Sequence, residues 1–242
     1  MSLNKYVWRK KRYFFNNPSK LLLYPIVKKV EPYTLVKYVP LVQCHDIILK
    51  LDEEGIEGSI VEMGCWKGGL VAFLAWTVKH KGKIKRDVWG FDSFEGFPSF
   101  EGEDKRDAER TARRHGCAEG ALKARISDAL TIGRRLKIKP YLIKGWFEEE
   151  VPSSKGMIGP IALLRLDGDL YSSTKYCLEQ LYDQVADGGY IVIDDWHNWI
   201  GCRKAVYEFF NERGMYPVIA YCPSPWHLGR AYFRKIPENQ KL

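Results

Sequence analysis

Four aspartates follow two apolar runs of the sequence at the points where predicted strands end. Asp167 and Asp169 follow one run, and Asp194 and Asp195 follow the next. Crowded carboxylates repel one another and raise one another's pKa unless a cation compensates their charge. Oxygen ligands with no Cys or His at ligand spacing suit a hard ion, so the pattern indicates Mg²⁺, with Mn²⁺ as an alternative. Capping of the following helices by one or two of these acids is the competing explanation.

A glycine-rich turn follows an earlier predicted strand. Its sequence from Glu62 to Gly69 has the spacing E-x-G-x-x-x-G-G, which differs from the dinucleotide-binding G-x-G-x-x-G. Glycines at this point let the backbone approach a ligand, and a helix N-terminus attracts negative charge. Asp92 ends the next predicted strand, where a carboxylate can accept hydrogen bonds from both ribose hydroxyls. A purely structural turn and a helix cap are the alternatives, but together the two features favour a nucleoside cofactor.

Two further features compete with this interpretation. Tyr171 and Lys175 form a Y-x-x-x-K pair of the kind that short-chain dehydrogenases use, although the early glycine pattern of those enzymes is absent. His197 lies two residues beyond the acid pair and is a candidate base, a metal ligand or a hydrogen-bonding residue at the rim.

Alternating short β-branched runs and longer amphipathic segments must position these side chains. The alternation predicts a mainly parallel sheet covered by helices on both faces, with ligands bound beyond the carboxyl ends of the strands. We predict strands at 59–63, 88–91, 141–143, 161–166 and 190–193 and a terminal strand pair at 217–222 and 227–234. We predict helices at 67–79, 171–185 (stopped by residues 187–189) and 202–213, and a solvated helix or lid at 101–114.

The charge of the chain is unevenly distributed. It has 242 residues with 38 Lys+Arg against 30 Asp+Glu, a formal charge of +8. Residues 1–40 contain nine basic side chains and one acidic one, so residues 41–242 are neutral overall. A neutral body disfavours a nucleic-acid partner. We expect the basic arm to dock on an acidic partner, which is a membrane surface, a neighbouring subunit or an anionic glycan carrier.

The six cysteines include no C-x-x-C pair, so we predict reduced, mostly buried thiols. No apolar run approaches the ~20 residues of a membrane span. The sequence therefore predicts a soluble, cytoplasmic protein without a transmembrane segment.

Several motifs occur in a fixed order along residues 32–213. They are YTLV at 33–36, VEMGCWKGG at 61–69, FDSFEGFP at 91–98, KGWF at 144–147, LRLDGDLYSST at 164–174, GGYIVIDDW at 188–196 and GCRKAV at 201–206. In this combination the sequence resembles the macrocin O-methyltransferase family, S-adenosylmethionine- and metal-dependent enzymes that methylate sugar hydroxyls of macrolides. The resemblance implies a Rossmann-like class I methyltransferase fold, an α/β structure with an antiparallel C-terminal strand pair.

The resemblance also implies roles for individual residues. Glu62 and Gly64 would cradle the methionine end of the cofactor, and Asp92 with Ser93 would hold its ribose. The full set that it assigns to the cofactor is Thr34, Leu35, Glu62, Gly64, Cys65, Trp66, Gly68, Asp92, Ser93, Gly96 and Trp146.

By the same resemblance Asp169, Asp194 and Asp195 would bind Mg²⁺ and Asp167 would be the general base. Which of Asp167 and Asp169 is base and which is ligand stays open, because the more distant catechol-type enzymes place a metal ligand at the position of Asp167. A sulfonium is already a good leaving group, so the enzyme must mainly align the attack and generate an oxyanion. A divalent metal lowers the pKa of the acceptor hydroxyl, and a carboxylate takes the proton.

The sequence thus predicts an O-methyltransferase that acts on a hydroxyl of a sugar, a glycosylated natural product or a glycan, with a phenol as an alternative acceptor. We expect residues 1–40 to form a basic arm and cofactor-covering segment, residues 41–242 to form the catalytic domain, and the protein to be a homo-oligomer. The alternatives are an RNA methyltransferase or nucleic-acid-binding module, an NAD(P)-dependent dehydrogenase, and a methyltransferase-like scaffold without catalysis.

Overall fold

The computed structural model describes residues 3–115, 117–222, 230–235 and 237, and a seven-stranded sheet lies at its centre. The strand order is β3-β2-β1-β4-β5-β7-β6, with the first five strands parallel and β7 antiparallel to both β5 and β6. The strands are β1 (Ser59–Met63), β2 (Val88–Asp92), β3 (Tyr141–Lys144), β4 (Ile161–Leu166), β5 (Val185–Ile193), β6 (Ala220–Tyr221) and β7 (Ala231–Arg234).

Helices cover both faces of this sheet. They are α1 (Leu3–Phe15), α2 (Tyr24–Val30), α3 (Tyr38–Glu53), α4 (Gly69–His80), α5 (Gly102–His115), α6 (Ile126–Leu136), α7 (Phe147–Ile158), α8 (Tyr171–Leu181) and α9 (Ile200–Glu212). Short 3-10 helices occupy Pro18–Leu23, Glu31–Tyr33 and Tyr182–Gln184. Helices α1, α2, α3, α4 and α6 contribute to the core on one face, and α5, α7, α8 and α9 to the core on the other.

The alternation of side chains along the strands explains the two cores. In β1, Ile60 belongs to one core while Val61 and Met63 belong to the other. Every residue of β1 and β4 is buried, because helices cover the sheet on both sides. The same alternation places Glu62 and Arg165, which are register partners in these neighbouring strands, inside the protein.

The predicted elements are present, with one error in the second half. The five predicted parallel strands agree with β1–β5, and the predicted terminal pair is the antiparallel pair β6–β7, although residues 227–229 of it lie outside the described residues. The predicted helix 171–185 is wrong at its end, because α8 stops at Leu181 and Val185 begins β5. Val185 is buried and pairs with Ile161, and residues 187–189 continue that strand. Tertiary pairing here overrides the local helical pattern.

The N-terminal segment packs against the body of the protein. Phe14, Leu23 and Val30 are buried in the core that includes α3 and α4. Within the described part of the chain, none of the helices has the length and apolarity needed to cross a membrane. The six cysteines are free thiols, as predicted. The division of the chain at residue 40 stays a prediction.

Candidate active site

A cavity of about 1040 Å³ opens beyond the carboxyl ends of the parallel strands, where the strand topology predicts a ligand. Its lining includes ten of the eleven residues predicted to bind the cofactor, together with all four predicted acids. The ten are Thr34, Leu35, Glu62, Gly64, Cys65, Trp66, Asp92, Ser93, Gly96 and Trp146. The acids are Asp167, Asp169, Asp194 and Asp195. Residues from widely separated parts of the sequence therefore meet at one site.

Gly64 allows two strand ends to approach each other. Its φ is +93°, and a Cβ atom there would lie 2.1 Å from the carbonyl oxygen of Asp167. The N–H of Asp167 donates to the carbonyl of Met63 at 2.8 Å, and the N–H of Gly64 donates to the carbonyl of Phe91 at 2.8 Å. A side chain at position 64 would push the glycine turn after β1 away from the acids after β4.

Asp92 holds the glycine turn in place. Its Oδ2 accepts from the N–H of Trp66 and its Oδ1 from the N–H of Phe94, each at 2.7 Å. Burial raises the pKa of Asp92, while these backbone donors lower it. Each carboxylate oxygen has a second lone pair, so Asp92 can still accept hydrogen bonds from a ligand in the cavity.

Gly68, the eleventh predicted residue, does not line the cavity. It precedes α4 with a φ of +76°, and a Cβ there would lie 2.4 Å from Cβ of Ala129 in α6. Its position indicates close helix packing, and its role in cofactor binding stays a prediction. Gly69 next to it faces the N-terminal segment, since a Cβ there would lie 2.6 Å from the backbone of Tyr33.

Three of the four acids form a compact group. One carboxylate oxygen each from Asp167, Asp194 and Asp195 lies within 4.8 Å of the others, a spacing that suits a single ion. Asp194 and Asp195 are buried, and the buried Oδ2 of Asp195 has no hydrogen-bond partner within the part of the chain that the structure describes. An unpartnered buried carboxylate oxygen is costly, and this one lies in the cavity lining, where it can bind a ligand. Asp169, which the resemblance implied as a ligand in place of Asp167, is not in this group.

Arg165 lies at the centre of the acid group, and the sequence pattern did not indicate it as a site residue. Its side chain is 1% exposed, and its Nη1 lies 2.8 Å from Oε1 of Glu62 and 2.7 Å from Oδ2 of Asp167. Its Nη2 donates to Oδ1 of Asp194. The Nε of Arg230 lies 2.5 Å from the same oxygen. The two arginines thus supply part of the positive charge that the acids need. The signal was a single basic residue inside the apolar run IALLRL of β4.

The pKa values reflect a balance between burial and these arginines. Burial raises the pKa of Glu62 to about 8 and that of Asp167 to about 6, with Arg165 opposing both shifts. The two arginines hold the pKa of Asp194 below its ordinary value. Burial and the neighbouring carboxylates raise the pKa of Asp195 well above its ordinary value. The arginines therefore leave part of the negative charge uncompensated.

Asp169 lies at the edge of the acid group with a left-handed backbone, φ +60°. Burial and the charges of Asp167 and Asp194 raise its pKa, while hydrogen bonds with Trp199 and Asp195 lower it. Its carboxylate lines the cavity outside the group of three, a position that suits proton transfer.

Helix α5 meets the cavity at its N-terminal end, where Gly102, Glu103 and Asp104 belong to the lining, and the prediction of a lid at 101–114 stays a prediction. Asp104 is buried and its Oδ1 accepts from the N–H of Tyr171, the first residue of α8, at 2.6 Å. Oδ2 of Asp107 accepts from the N–H of Gly201 near the start of α9 at 2.7 Å. These acids cap two helix N-termini at once, which the sequence pattern did not indicate.

The competing features have other roles. Tyr171 donates to Glu208 at 2.6 Å and Lys175 to Glu212 at 2.5 Å, so both members of the Y-x-x-x-K pair are engaged with α9. His197 is exposed beside Tyr221 and does not line the cavity. These contacts give no support to a dehydrogenase or to His197 as a base.

The strand order, the antiparallel β7 and a cavity with an acid that ends β2 define a class I methyltransferase architecture. Within this class the chain belongs to the macrocin-O-methyltransferase (TylF) family, whose model matches residues 29–221. The fold and the family predicted from the sequence are both confirmed.

Two relatives illustrate the family, and one solved structure illustrates the fold. The chain is 34% identical over 168 residues to the 8-demethyl-8-(2,3-dimethoxy-alpha-L-rhamnosyl)-tetracenomycin-C 4'-O-methyltransferase of Streptomyces olivaceus, covering 68% of this chain and 61% of the relative. It is 31% identical over 160 residues to the demethyldecarbamoylnovobiocin O-methyltransferase of Streptomyces niveus, covering 64% and 58%. The match thus spans about three fifths of the length of these relatives. The structure of the O-methyltransferase NovP superposes with a TM-score of 0.73 at 24% identity, covering 85% of this chain and 83% of that one.

Proposed function

We propose that the protein is an S-adenosylmethionine- and Mg²⁺-dependent O-methyltransferase that acts on a hydroxyl of a sugar, a glycosylated natural product or a glycan. The observation that carries the proposal is the buried group of Asp167, Asp194 and Asp195 in the same cavity as the glycine turn and Asp92. Family membership supports the methyl-transfer chemistry.

The cofactor would occupy the side of the cavity formed by β1 and β2. Two buried polar atoms there, Oε2 of Glu62 and Nε1 of Trp66, have no hydrogen-bond partner among the described residues. Glu62 would accept from the amino group of the methionine moiety, and Asp92 would accept from the ribose hydroxyls. Thr34 and Leu35 line the same cavity from the N-terminal side. The cofactor would supply an electrophilic methyl group on a positively charged sulfur.

The acid group fits a hard divalent cation by two observations, its all-oxygen donor set and the unpartnered Oδ2 of Asp195. Asp167, Asp194 and Asp195 would hold Mg²⁺, with Mn²⁺ as an alternative. The metal would lower the pKa of an acceptor hydroxyl. Arg165 and Arg230 both donate hydrogen bonds to Oδ1 of Asp194, and Arg165 also donates to Oδ2 of Asp167. These hydrogen bonds orient the two carboxylates.

The spacing of the acids supports a proposal in which two of them exchange the roles that the resemblance implied. Asp167 is bonded to Arg165 and grouped with the other two ligands, so it suits metal binding. Asp169 lines the same cavity outside the group of three, so its carboxylate is available to remove the acceptor proton. We therefore assign Asp167 as ligand and Asp169 as general base.

The acceptor would lie beside the acid group in the same cavity. Phe97 and Trp199, whose ring centroids are 5.7 Å apart, contribute an apolar wall there, and Phe147 adds to the lining. An apolar wall beside a metal-activated hydroxyl suits the aglycone of a glycoside, and a phenol is the alternative acceptor. Of the two relatives described above, the one from Streptomyces olivaceus is named for 4'-O-methylation of a rhamnosyl-tetracenomycin.

Calorimetric titration with S-adenosylmethionine, with and without Mg²⁺, tests the cofactor and the metal separately. We expect saturable cofactor binding by the parent protein and methyl transfer to a panel of glycosides that stops in excess EDTA. Asp194→Ala should lose metal binding. Transfer that persists undiminished in EDTA would refute the metal, and absence of cofactor binding would refute the proposal as a whole. A homo-oligomeric state, a cytoplasmic location and the arm-and-domain division at residue 40 belong to the same proposal.

A further inference from the structure

The outer face of α1 exposes an unusual combination of side chains. Trp8 is 58% and Phe15 is 70% exposed, and they lie seven residues apart, which places them on the same face of the helix. Lys11 and Arg12 are exposed between them, with the Arg12 guanidinium 5.2 Å from the centre of the Trp8 ring. Leu22, in the following 3-10 helix, is 71% exposed. We call Trp8, Lys11, Arg12, Phe15 and Leu22 the arm surface.

The opposite face of α1 attaches the helix to the protein. Phe14 is buried, and its ring lies 5.3 Å from that of Tyr24. Lys10 is buried and bonds Glu31 at 2.7 and 2.5 Å, and Tyr6 donates to the same carboxylate at 2.9 Å. The helix is therefore anchored on one side, and the arm surface is the side that faces away from the core.

Part of the charge of residues 1–40 faces outward, although Lys10 is buried against Glu31 and Lys20 is paired with Asp46. Glu31, the single acidic residue of the sequence 1–40, accepts hydrogen bonds from Lys10 and Tyr6. Lys11, Arg12, Lys28 and Lys29 are exposed. The arm thus presents several cations together with large apolar side chains.

We propose that the arm surface docks on an anionic phospholipid bilayer and makes this protein a peripheral membrane protein. Exposed Trp, Phe and Leu side chains between cations are the composition of interfacial helices, in which the apolar groups enter the headgroup region and the cations bind anionic lipids. A second copy is a poorer occupant, because a two-fold interface through this surface would bring Lys11 and Arg12 of both copies together. Single-stranded RNA would use the cations but leave Leu22 without a partner.

Sedimentation with vesicles tests the proposal without any need for methyl transfer. The full chain is mixed with phosphatidylcholine vesicles that contain or lack phosphatidylglycerol, at low and high salt. We expect binding only to the anionic vesicles and release at high salt. Lys11→Glu/Arg12→Glu should weaken this binding by about 30-fold or more, since each cation near an anionic surface contributes about fivefold. Lys81→Glu/Lys85→Glu, an equal charge change on exposed residues outside the arm, should weaken it far less.

Apolar insertion is tested with Trp8→Ala/Phe15→Ala, which should weaken binding about tenfold. The matched control is Tyr216→Ala/Val218→Ala, which removes two other exposed apolar side chains and should leave binding unchanged. Trp8→Phe should bind the vesicles as the parent does. Brominated lipid should quench the tryptophan emission of this variant less than that of the parent, because Trp8 is the residue expected to enter the headgroup region.

Three results would overturn the proposal. The first is equal binding of the parent to neutral and anionic vesicles, or none to either. The second is a change in sedimentation coefficient of Trp8→Ala/Phe15→Ala with unchanged vesicle binding, which would identify a contact between copies. The third is RNA binding that both arm variants lose while vesicle binding persists.

Discussion

Replacing Arg165 with glutamine removes a buried guanidinium that contacts Glu62, Asp167 and Asp194. Breaking a buried ion pair by removing one partner typically costs about 3–5 kcal/mol, because the remaining charge stays in the interior. For a chain of this length the cost lowers Tm by about 6–20 °C, at roughly 2–4 °C per kcal/mol. We expect Arg165→Gln to fold at low temperature with a stability loss in this range.

The loss should depend on pH with a definite sign. The folded-state pKa values of Glu62 and Asp167, about 8 and about 6, lie above those of the unfolded chain, so ionising these groups costs stability as pH rises. Arg165 offsets this cost. Its removal should therefore destabilise the protein most at pH 9 and much less at pH 5, where the carboxyls of the variant are protonated. Urea denaturation at the two pH values measures the difference.

Arg86→Gln is the matched control. The Arg86 side chain is fully buried and bonds Oδ1 of Asp52 at 2.8 Å, away from the cavity lining. We expect it to reduce stability without weakening S-adenosylmethionine binding, whereas Arg165→Gln should weaken that binding at least tenfold because Glu62 loses its partner. The reasoning is refuted if Arg165→Gln is no more destabilising at pH 9 than at pH 5. It also fails if both variants bind the cofactor equally well.

Three further predictions concern the site. Asp167→Asn should lose Mg²⁺ binding in calorimetry, whereas Asp169→Asn should retain it and lose methyl transfer; the reverse pattern would restore the roles that the resemblance implied. Gly64→Ala should lower the free energy of unfolding by about 2–4 kcal/mol in urea denaturation, because its Cβ would lie 2.1 Å from a carbonyl oxygen at a positive φ. Gly55→Ala is the control, since a Cβ there meets open space, and it should lower the free energy of unfolding by only about 1 kcal/mol. The stability of the parent without ligands should fall between pH 5 and pH 9 as Glu62 ionises, and Glu62→Gln should flatten this part of the profile; an unchanged profile would contradict the raised pKa.

Much of the architecture could be predicted from local patterns. Buried β-branched runs alternating with amphipathic segments indicate a parallel sheet, and the acids after 161–166 and 190–193 were recognisable because parallel strands end at one edge. The end of α8 could not be predicted, since only the pairing of Val185 with Ile161 shows that β5 begins there. The caps that Asp104 and Asp107 provide were equally hidden, because their partners lie 67 and 94 residues away.

The sequence by itself determined which chemistry the chain can do: a glycine turn, an acid after the second strand and four further carboxylates, all in a fixed order. Only the tertiary structure decided which side chains each of those carboxylates contacts. Glu62 and Arg165 are 103 residues apart, yet strand register places them side by side on one face of the sheet, below Asp167 and Asp194. In that buried position one guanidinium contacts three acids, and we propose Asp167, Asp194 and Asp195 as the ligands of a cation and Asp169 as the acceptor of a proton. These contacts depend on burial and on distances between strands, which the order of residues along the chain does not specify.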